Sequence, residues 1–274
     1  MALGARYTKS VVFILGGDSA DSATPQGTGF IAGTPDAEPG MVIPFVVTAA
    51  HVVRTFPFTA VRLSLKNGSV TDHPITEWQI HDVEDVAIAL LYPVDADVVE
   101  ASPIPIDQFV GHEQTEFPVS VGDTVFFGGL LGQVESMGNA NVPMIRGGTV
   151  GALYQHGVPM RLADNTLIRV HGHLVDCRSF GGFSGSPCFV RFISGTHVTE
   201  RLSLKAPIET TFLLGIVGGH FDLAATVVLP DQEQLLKVPV SAGIAVVYPA
   251  ELIAEMLREA ASKLDATAQD SIEP

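Results

Sequence analysis

Apolar residues along this chain come in short runs broken by glycine, proline and acidic turn residues. Runs at 9–15, 28–32, 41–48, 61–65, 74–80 and 86–91 are rich in Val, Ile, Phe and Thr. They are too short for helices and read as β-strands. Turn signals separate them, among them Pro25-Gln26-Gly27 and a loop at 35–40 that holds Pro35 and Pro39. The stretch 93–118 loses this rhythm and carries several prolines, which predicts a connector. Beyond it, strands are predicted at 124–129, 144–153, 167–174, 187–193, 210–217 and 242–247. About six strands on each side of the connector imply an all-β chain of two antiparallel β-barrels, each six-stranded.

One segment follows the other period. Leu252, Ile253, Met256, Leu257, Ala260 and Leu264 lie at helical spacing behind Pro249, which suits an early helical position. The expected organisation is a first barrel over 1–105, a connector over 106–120, a second barrel over 121–248, a C-terminal α-helix over 249–264 and a flexible acidic tail over 265–274. The segment 224–241 has no place in this pattern and reads as an insertion, either a lid over a cleft or a hairpin on its rim.

Composition narrows the class. The 274 residues are 46% hydrophobic and only 16% charged, enough for a substantial core and unlike a disordered chain. The formal charge of −15, from 30 acidic against 15 basic residues, repels phosphate backbones and argues against nucleic-acid binding. Its plain reading is solubility. Cys177 and Cys188 cannot form a disulfide framework for a chain this long, and buried free thiols are expected. No run reaches the roughly 18 apolar residues that span a bilayer. The apolar run at 11–15 ends in Gly16-Gly17 without a signal-peptide core, so no membrane contact and a cytoplasmic location are expected.

Three segments carry candidate chemistry. In Gly182-Phe183-Ser184-Gly185-Ser186-Pro187 a serine sits between glycines just before an apolar strand. Glycines there let a backbone turn tightly and approach a substrate, and the N–H groups of Gly182 and Ser184 can converge on a developing oxyanion. In Val46-Val47-Thr48-Ala49-Ala50-His51 an apolar strand runs into small residues and a histidine. In Asp82-Val83-Glu84-Asp85-Val86-Ala87-Ile88 an aspartate stands at the entrance to an apolar strand. Alone, these are an ordinary turn, a structural histidine and a capping aspartate. Together, in the order His, Asp, Ser, they suggest nucleophilic catalysis.

At this point the chain resembles the trypsin-like serine peptidases of chymotrypsin fold. Thr48-Ala49-Ala50-His51 is similar to their histidine motif, Asp85-Val86-Ala87-Ile88-Ala89 to their aspartate motif and Gly182-Phe183-Ser184-Gly185-Ser186-Pro187 to their serine motif. The Ser-Gly-Ser-Pro ending and Gly27-Thr28-Gly29-Phe30-Ile31 are closest to the bacterial glutamyl-endopeptidase and HtrA-like branches. Leu214-Gly215-Ile216-Val217-Gly218-Gly219 resembles the strand beside the substrate pocket. Gly243-Ile244-Ala245-Val246 fits the last strand before the C-terminal helix. The resemblance covers about residues 8–262. It implies a serine endopeptidase with Ser184 as nucleophile, His51 as general base and Asp85 orienting it, a Gly182/Ser184 oxyanion hole, and no cofactor or metal. Asp82, three residues before Asp85, falls outside the motif and is the weaker choice.

The resemblance also marks departures. Phe183 stands where digestive members carry an aspartate that pairs with a newly cut N-terminus, and no Ile-Val-Gly-Gly sequence is present, so no zymogen cleavage of that kind is implied. The bulk of Phe183 bears on the resting shape of the oxyanion turn. Arg178, six residues before Ser184, falls near the bottom of the S1 pocket and favours an acidic P1 side chain; pointing to solvent or pairing with an acidic neighbour is the alternative. Val217, Gly218, Gly219 and His220 are the further S1 candidates, with His171 or His173 on an adjacent strand. His171-Gly172-His173 would also place two imidazoles on one strand face, but a third metal ligand is not suggested. The expected partner is a peptide or protein substrate. A protease-like binding or regulatory module, with its site blocked or opened by a separate partner chain, is the second reading.

Overall fold

Strand pairing builds two β-structures of unlike closure. The computed structural model describes residues 4–36, 41–112, 118–130, 141–153, 157–161, 167–177, 182–193, 209–228 and 235–270. The first half begins with a short helix, α1 (Ala5–Thr8), followed by β1 (Val11–Gly17), β2 (Thr24–Pro35), β3 (Val42–Thr48), the one-turn helix α2 (Ala50–Val53), β4 (Phe58–Ser64), β5 (Val70–Ile75), β6 (Gln79–Ile80), β7 (Ala87–Leu90) and β8 (Ile104–Pro105). Its strands run in the order β5-β4-β1-β2-β3-β7-β6, with β8 parallel to β2. Among the described residues no pairing joins β5 to β6, whose two residues pair with β7 alone.

The second half holds β9 (Thr124–Gly129), β10 (Met144–Leu153), β11 (Val158–Arg161), β12 (Leu167–Val170), β13 (His173–Asp176), β14 (Pro187–Ile193), β15 (Glu209–Val228) and β16 (Leu235–Pro249). Six of these close into the barrel β10-β13-β16-β15-β14-β9, while β11 and β12 form a separate ribbon. The chain ends in the helix α3 (Ala250–Asp270). Among the described residues no helix is long and apolar enough to cross a membrane.

Many strands are apolar on both faces because each face meets a different core. In β2, Ile31 points into the interior of the first sheet, while Phe30 and Ala32 point out of it. Val46 against Phe45 and Val47 in β3 repeats the alternation, as does Val190 against Phe189 in β14. The outward set from both halves meets in a third core, where Phe30, Phe45 and Phe109 pack with Phe189, Leu213 and Tyr248. The α3 side chains Ile253, Met256 and Leu257 close that core. A strand period of two therefore serves three cores, and the polar alternation of a half-exposed sheet is absent here.

Two boundaries depart from the sequence expectation, and one segment that it left open is placed. The helix runs to Asp270 rather than ending at Leu264. The apolar stripe stops there, but Ala266, Ala268 and Gln269 are good helix formers and carry it on. The strand expected over 167–174 is two strands, β12 and β13, divided at His171-Gly172. The segment 224–241, left open between a lid and a hairpin, takes the hairpin reading where it is described. It is the outer part of a long β15–β16 ribbon, paired from Asp222 with Ser241 to Val228 with Leu235.

Candidate active site

His51 is held by the aspartate on which the sequence motif converged. Strand β3 delivers the chain to α2, and His51 is the second residue of that one-turn helix. Asp85 lies just ahead of β7, which pairs with β3, so the two residues come from neighbouring strand ends. One Asp85 oxygen, Oδ2, pairs with His51 Nδ1 at 2.6 Å, and the other, Oδ1, accepts the His51 backbone N–H at 2.8 Å. The Ala50 N–H also donates to the Asp85 carbonyl at 3.3 Å. A carboxylate can only accept, so Nδ1 carries the proton and the neutral ring keeps a lone pair on Nε2. The His51 side chain is 51% exposed and that of Asp85 only 23%. The imidazole is thus fixed from behind and open in front. Asp82 takes no part in this pairing.

Ser184 arrives from the other half of the molecule, on the turn ahead of β14. Its carbonyl accepts the Thr28 N–H at 2.9 Å. Gly27 shows how close the approach is: a Cβ there would meet the Val52 side chain at 2.8 Å and the Ser184 carbonyl oxygen at 3.1 Å. Val52 is the neighbour of His51, so α2 and the Ser184 turn converge on one glycine of β2.

Thr28 is the residue that ties this corner together, and motif reading passed over it. Its hydroxyl donates to the Gly182 carbonyl at 2.6 Å and accepts the Leu130 N–H at 2.9 Å. Its own carbonyl accepts the Thr48 hydroxyl at 2.8 Å. Every polar atom of this fully buried residue is used. The signal in the sequence was a hydroxyl between two glycines in Gly27-Thr28-Gly29. Replacing Thr28 by the isosteric Val leaves the Gly182 carbonyl and the Leu130 N–H without their partner, which should cost about 2 kcal/mol. Thr28→Ser keeps both bonds and should recover most of it; urea unfolding of both variants checks this.

The turn itself needs its glycines. Gly182 has φ +97° and Gly185 φ +87°. A side chain on Gly185 would also run into the Thr28 carbonyl and the Thr48 hydroxyl. Phe183 points inward, fully buried in the second-barrel core, edge-on to Phe127 at a ring separation of 5.9 Å and against Gly129. Its carbonyl accepts the Ser186 N–H at 3.0 Å. Its bulk is thus taken up by the core rather than by the cleft. Among the described residues, the N–H groups of Gly182 and Ser184 have no hydrogen-bond partner.

The residues expected to form S1 fare unevenly. Arg178 lies outside the described residues. Val217 bonds to the Ser184 turn through its backbone, receiving the Gly185 N–H at 2.8 Å and donating to the Ser186 carbonyl at 2.9 Å. Its side chain is buried in the second-barrel core, turned inward by the strand alternation. The Tyr248 ring lies against Gly218. Gly219 pairs with Val246 and His220 with Ala245 across the β15–β16 ladder.

The two imidazoles at 171 and 173 do not share a strand face, because His171 precedes β13. His171 pairs with Glu84 at 2.8 Å instead. Burial pushes the His173 imidazole below its ordinary pKa. Cys177 and Cys188 are thiols outside any disulfide, buried in the second barrel, and burial pushes the Cys188 thiol up, away from its reactive thiolate form.

No protein-family model and no curated protein matches this sequence. Solved structures do. The apo MamO protease domain from Magnetospirillum magneticum matches with a TM-score of 0.53 at 18% identity, over 93% of this chain and 98% of that one. The inactive form of the Rv3671c protease of M. tuberculosis matches at 0.50 with 19% identity, over 93% and 90%. The human heparin binding protein matches at 0.51 with 13% identity, over 94% of each chain. At such identities the likeness speaks for the backbone. The chain has the chymotrypsin-like fold that its motifs implied.

Proposed function

We propose that this chain is a serine endopeptidase that cleaves peptide bonds through an acyl-enzyme on Ser184. The observation that carries this reading is the two-point hold of Asp85 on His51, on the β2 corner where the Ser184 turn is tied down. His51 takes the Ser184 proton on Nε2 and returns it to the leaving amine. Asp85 fixes the tautomer and stabilises the imidazolium. The unpartnered N–H groups of Gly182 and Ser184 are the donors for the tetrahedral oxyanion; losing one such donor costs roughly 10²–10³ in kcat. The basis for an acidic P1 preference is the sequence position of Arg178, six residues before Ser184, which the resemblance assigns to S1: a guanidinium pairs with a Glu or Asp side chain.

The test is covalent labelling. A fluorophosphonate should add to Ser184, read as the mass of the modified peptide, and the adduct should vanish in Ser184→Ala. Peptides differing only at P1 should be cut fastest after Glu or Asp. Cutting after Lys, Arg or Leu would remove the specificity and leave the chemistry. A native protein that takes no label and cuts no peptide is the binding or regulatory module of the alternative reading.

A further inference from the structure

Next to Asp85 lies a second carboxylate that the proposed triad does not use. Glu84 is 3% exposed. Its Oε1 accepts the His171 backbone N–H at 3.1 Å and pairs with His171 Nδ1 at 2.8 Å. Its other oxygen is buried, with no partner among the described residues. Burying a charge beside another carboxylate is costly, and a side chain kept there needs compensation. Here the compensation comes from the other half of the molecule: His171 lies two residues ahead of β13, a strand of the closed barrel, while Glu84 belongs to the loop ahead of β7.

Several further bonds hold that loop from within its own half. The His81 ring nitrogen Nδ1 accepts the N–H groups of Val83 at 3.2 Å and Glu84 at 2.9 Å, and the His81 N–H reaches the Val86 carbonyl at 2.9 Å. The Asp85 carbonyl rests on the Ala50 N–H. The Glu84 side chain is one hydrogen-bonded tie to the second barrel, and the backbone of Asp85, bonded to Tyr248, is another. On the barrel side, β13 pairs with β16, which brings in Tyr248. Burial, and then the charges of Asp85 and Glu84, keep that phenol protonated.

We propose that Glu84 and His171 form a clasp between the two halves that positions Asp85, so that the aim of the Asp85–His51 pair depends on the docking of the second barrel. Glu84 is a positioning residue, acting through Asp85 and touching no substrate. The inference rests on the peptidase reading for its kinetic consequence and on geometry alone for its structural one.

His171 is the place to test it, because its side chain is 65% exposed and its loss leaves no buried cavity. His171→Ala removes the side-chain leg of the clasp. His171→Asn offers an amide N–H at similar reach and is the rescue variant. On any peptide the native protein cuts, His171→Ala should lower kcat about 10-fold with KM within 2-fold, since a small misplacement of a catalytic group falls on kcat. His171→Asn should recover most of that loss. Equal kcat in the native protein and His171→Ala, or a loss carried by KM, overturns the proposal. So does His171→Asn performing no better than His171→Ala.

A second measurement does not need turnover. The low-field proton NMR signal of His51 Nδ1–H reports its bond to Asp85. It should move upfield or broaden in His171→Ala and stay in place in His171→Asn. A moved signal in a protein that cuts no peptide would keep the clasp and end the peptidase reading. An unmoved signal in an active enzyme would do the reverse.

Discussion

Asp85→Asn should lower kcat by about 10⁴-fold while leaving the fold and substrate KM nearly unchanged. The size follows from which way the new amide must face. The His51 backbone N–H is a fixed donor pointing at Oδ1. The asparagine must therefore present its carbonyl there, because its NH₂ would face another donor. That leaves the NH₂ opposite His51 Nδ1, at the position where Oδ2 sits at 2.6 Å. Two N–H groups cannot meet, so the ring adopts the other tautomer, with the proton on Nε2. A protonated Nε2 cannot accept the Ser184 proton. Asp85→Ala, which lets the ring choose its tautomer but frees its orientation, should also fall steeply. Steady-state kinetics of the two variants, with circular dichroism to confirm folding, check the point. An Asp85→Asn enzyme within 10-fold of the native rate would show that Asp85 does not set the tautomer, and would reopen the case for another base.

How much of this was visible beforehand depends on the range of the interaction. Strands such as β3, β7 and β14 were legible because a local apolar run suffices to make them. The pairing of His51 with Asp85 was legible because each sits in its own short motif. The clasp of Glu84 on His171 joins residues 87 positions apart in different halves, and no local pattern encodes that pairing. Its one trace is a carboxylate placed directly before Asp85, where an acidic pair in a loop normally means solvent. Thr28 was hidden for a related reason. Its bonds reach Gly182 and Leu130, both distant in sequence, and a threonine in a strand needs no explanation. The pairing of β15 with β16 beyond Asp222 was only one of two readings of 224–241, a hairpin or a lid, because nothing local decides between them. A long apolar hairpin has no place in a pattern of short barrel strands. Val217 shows a further limit of motif reading: a motif names the strand, but the strand alternation decides that this side chain enters the core.

Phe183→Ala should destabilise the protein by about 3–5 kcal/mol, the usual cost of emptying a fully buried phenylalanine site. For a chain of this length that corresponds to a fall in Tm of about 10 °C. The side chain is 0% exposed and packs edge-on against Phe127, so its loss removes both apolar burial and an aromatic contact. Phe183→Leu fills most of the volume and should cost much less. Phe183→Asp should be worst of all. The core around position 183 consists of Val125, Phe127, Val150, Val175, Cys188 and other apolar side chains, and none of them can pair with a carboxylate. An aspartate at this position would be a buried, unmatched charge. Phe183 therefore anchors the Ser184 turn by apolar burial, a mode of attachment that needs no cleavage event to form. Loosening it should also slow phosphonate labelling of Ser184 at temperatures well below the melt, because Ser186, whose N–H binds the Phe183 carbonyl, and Ser184 share that turn. Scanning calorimetry and labelling rates on the three variants test the two halves of the argument separately. A Phe183→Ala protein that melts within 2 °C of the native one would show that the turn is held by its hydrogen bonds to Thr28 and Val217 instead.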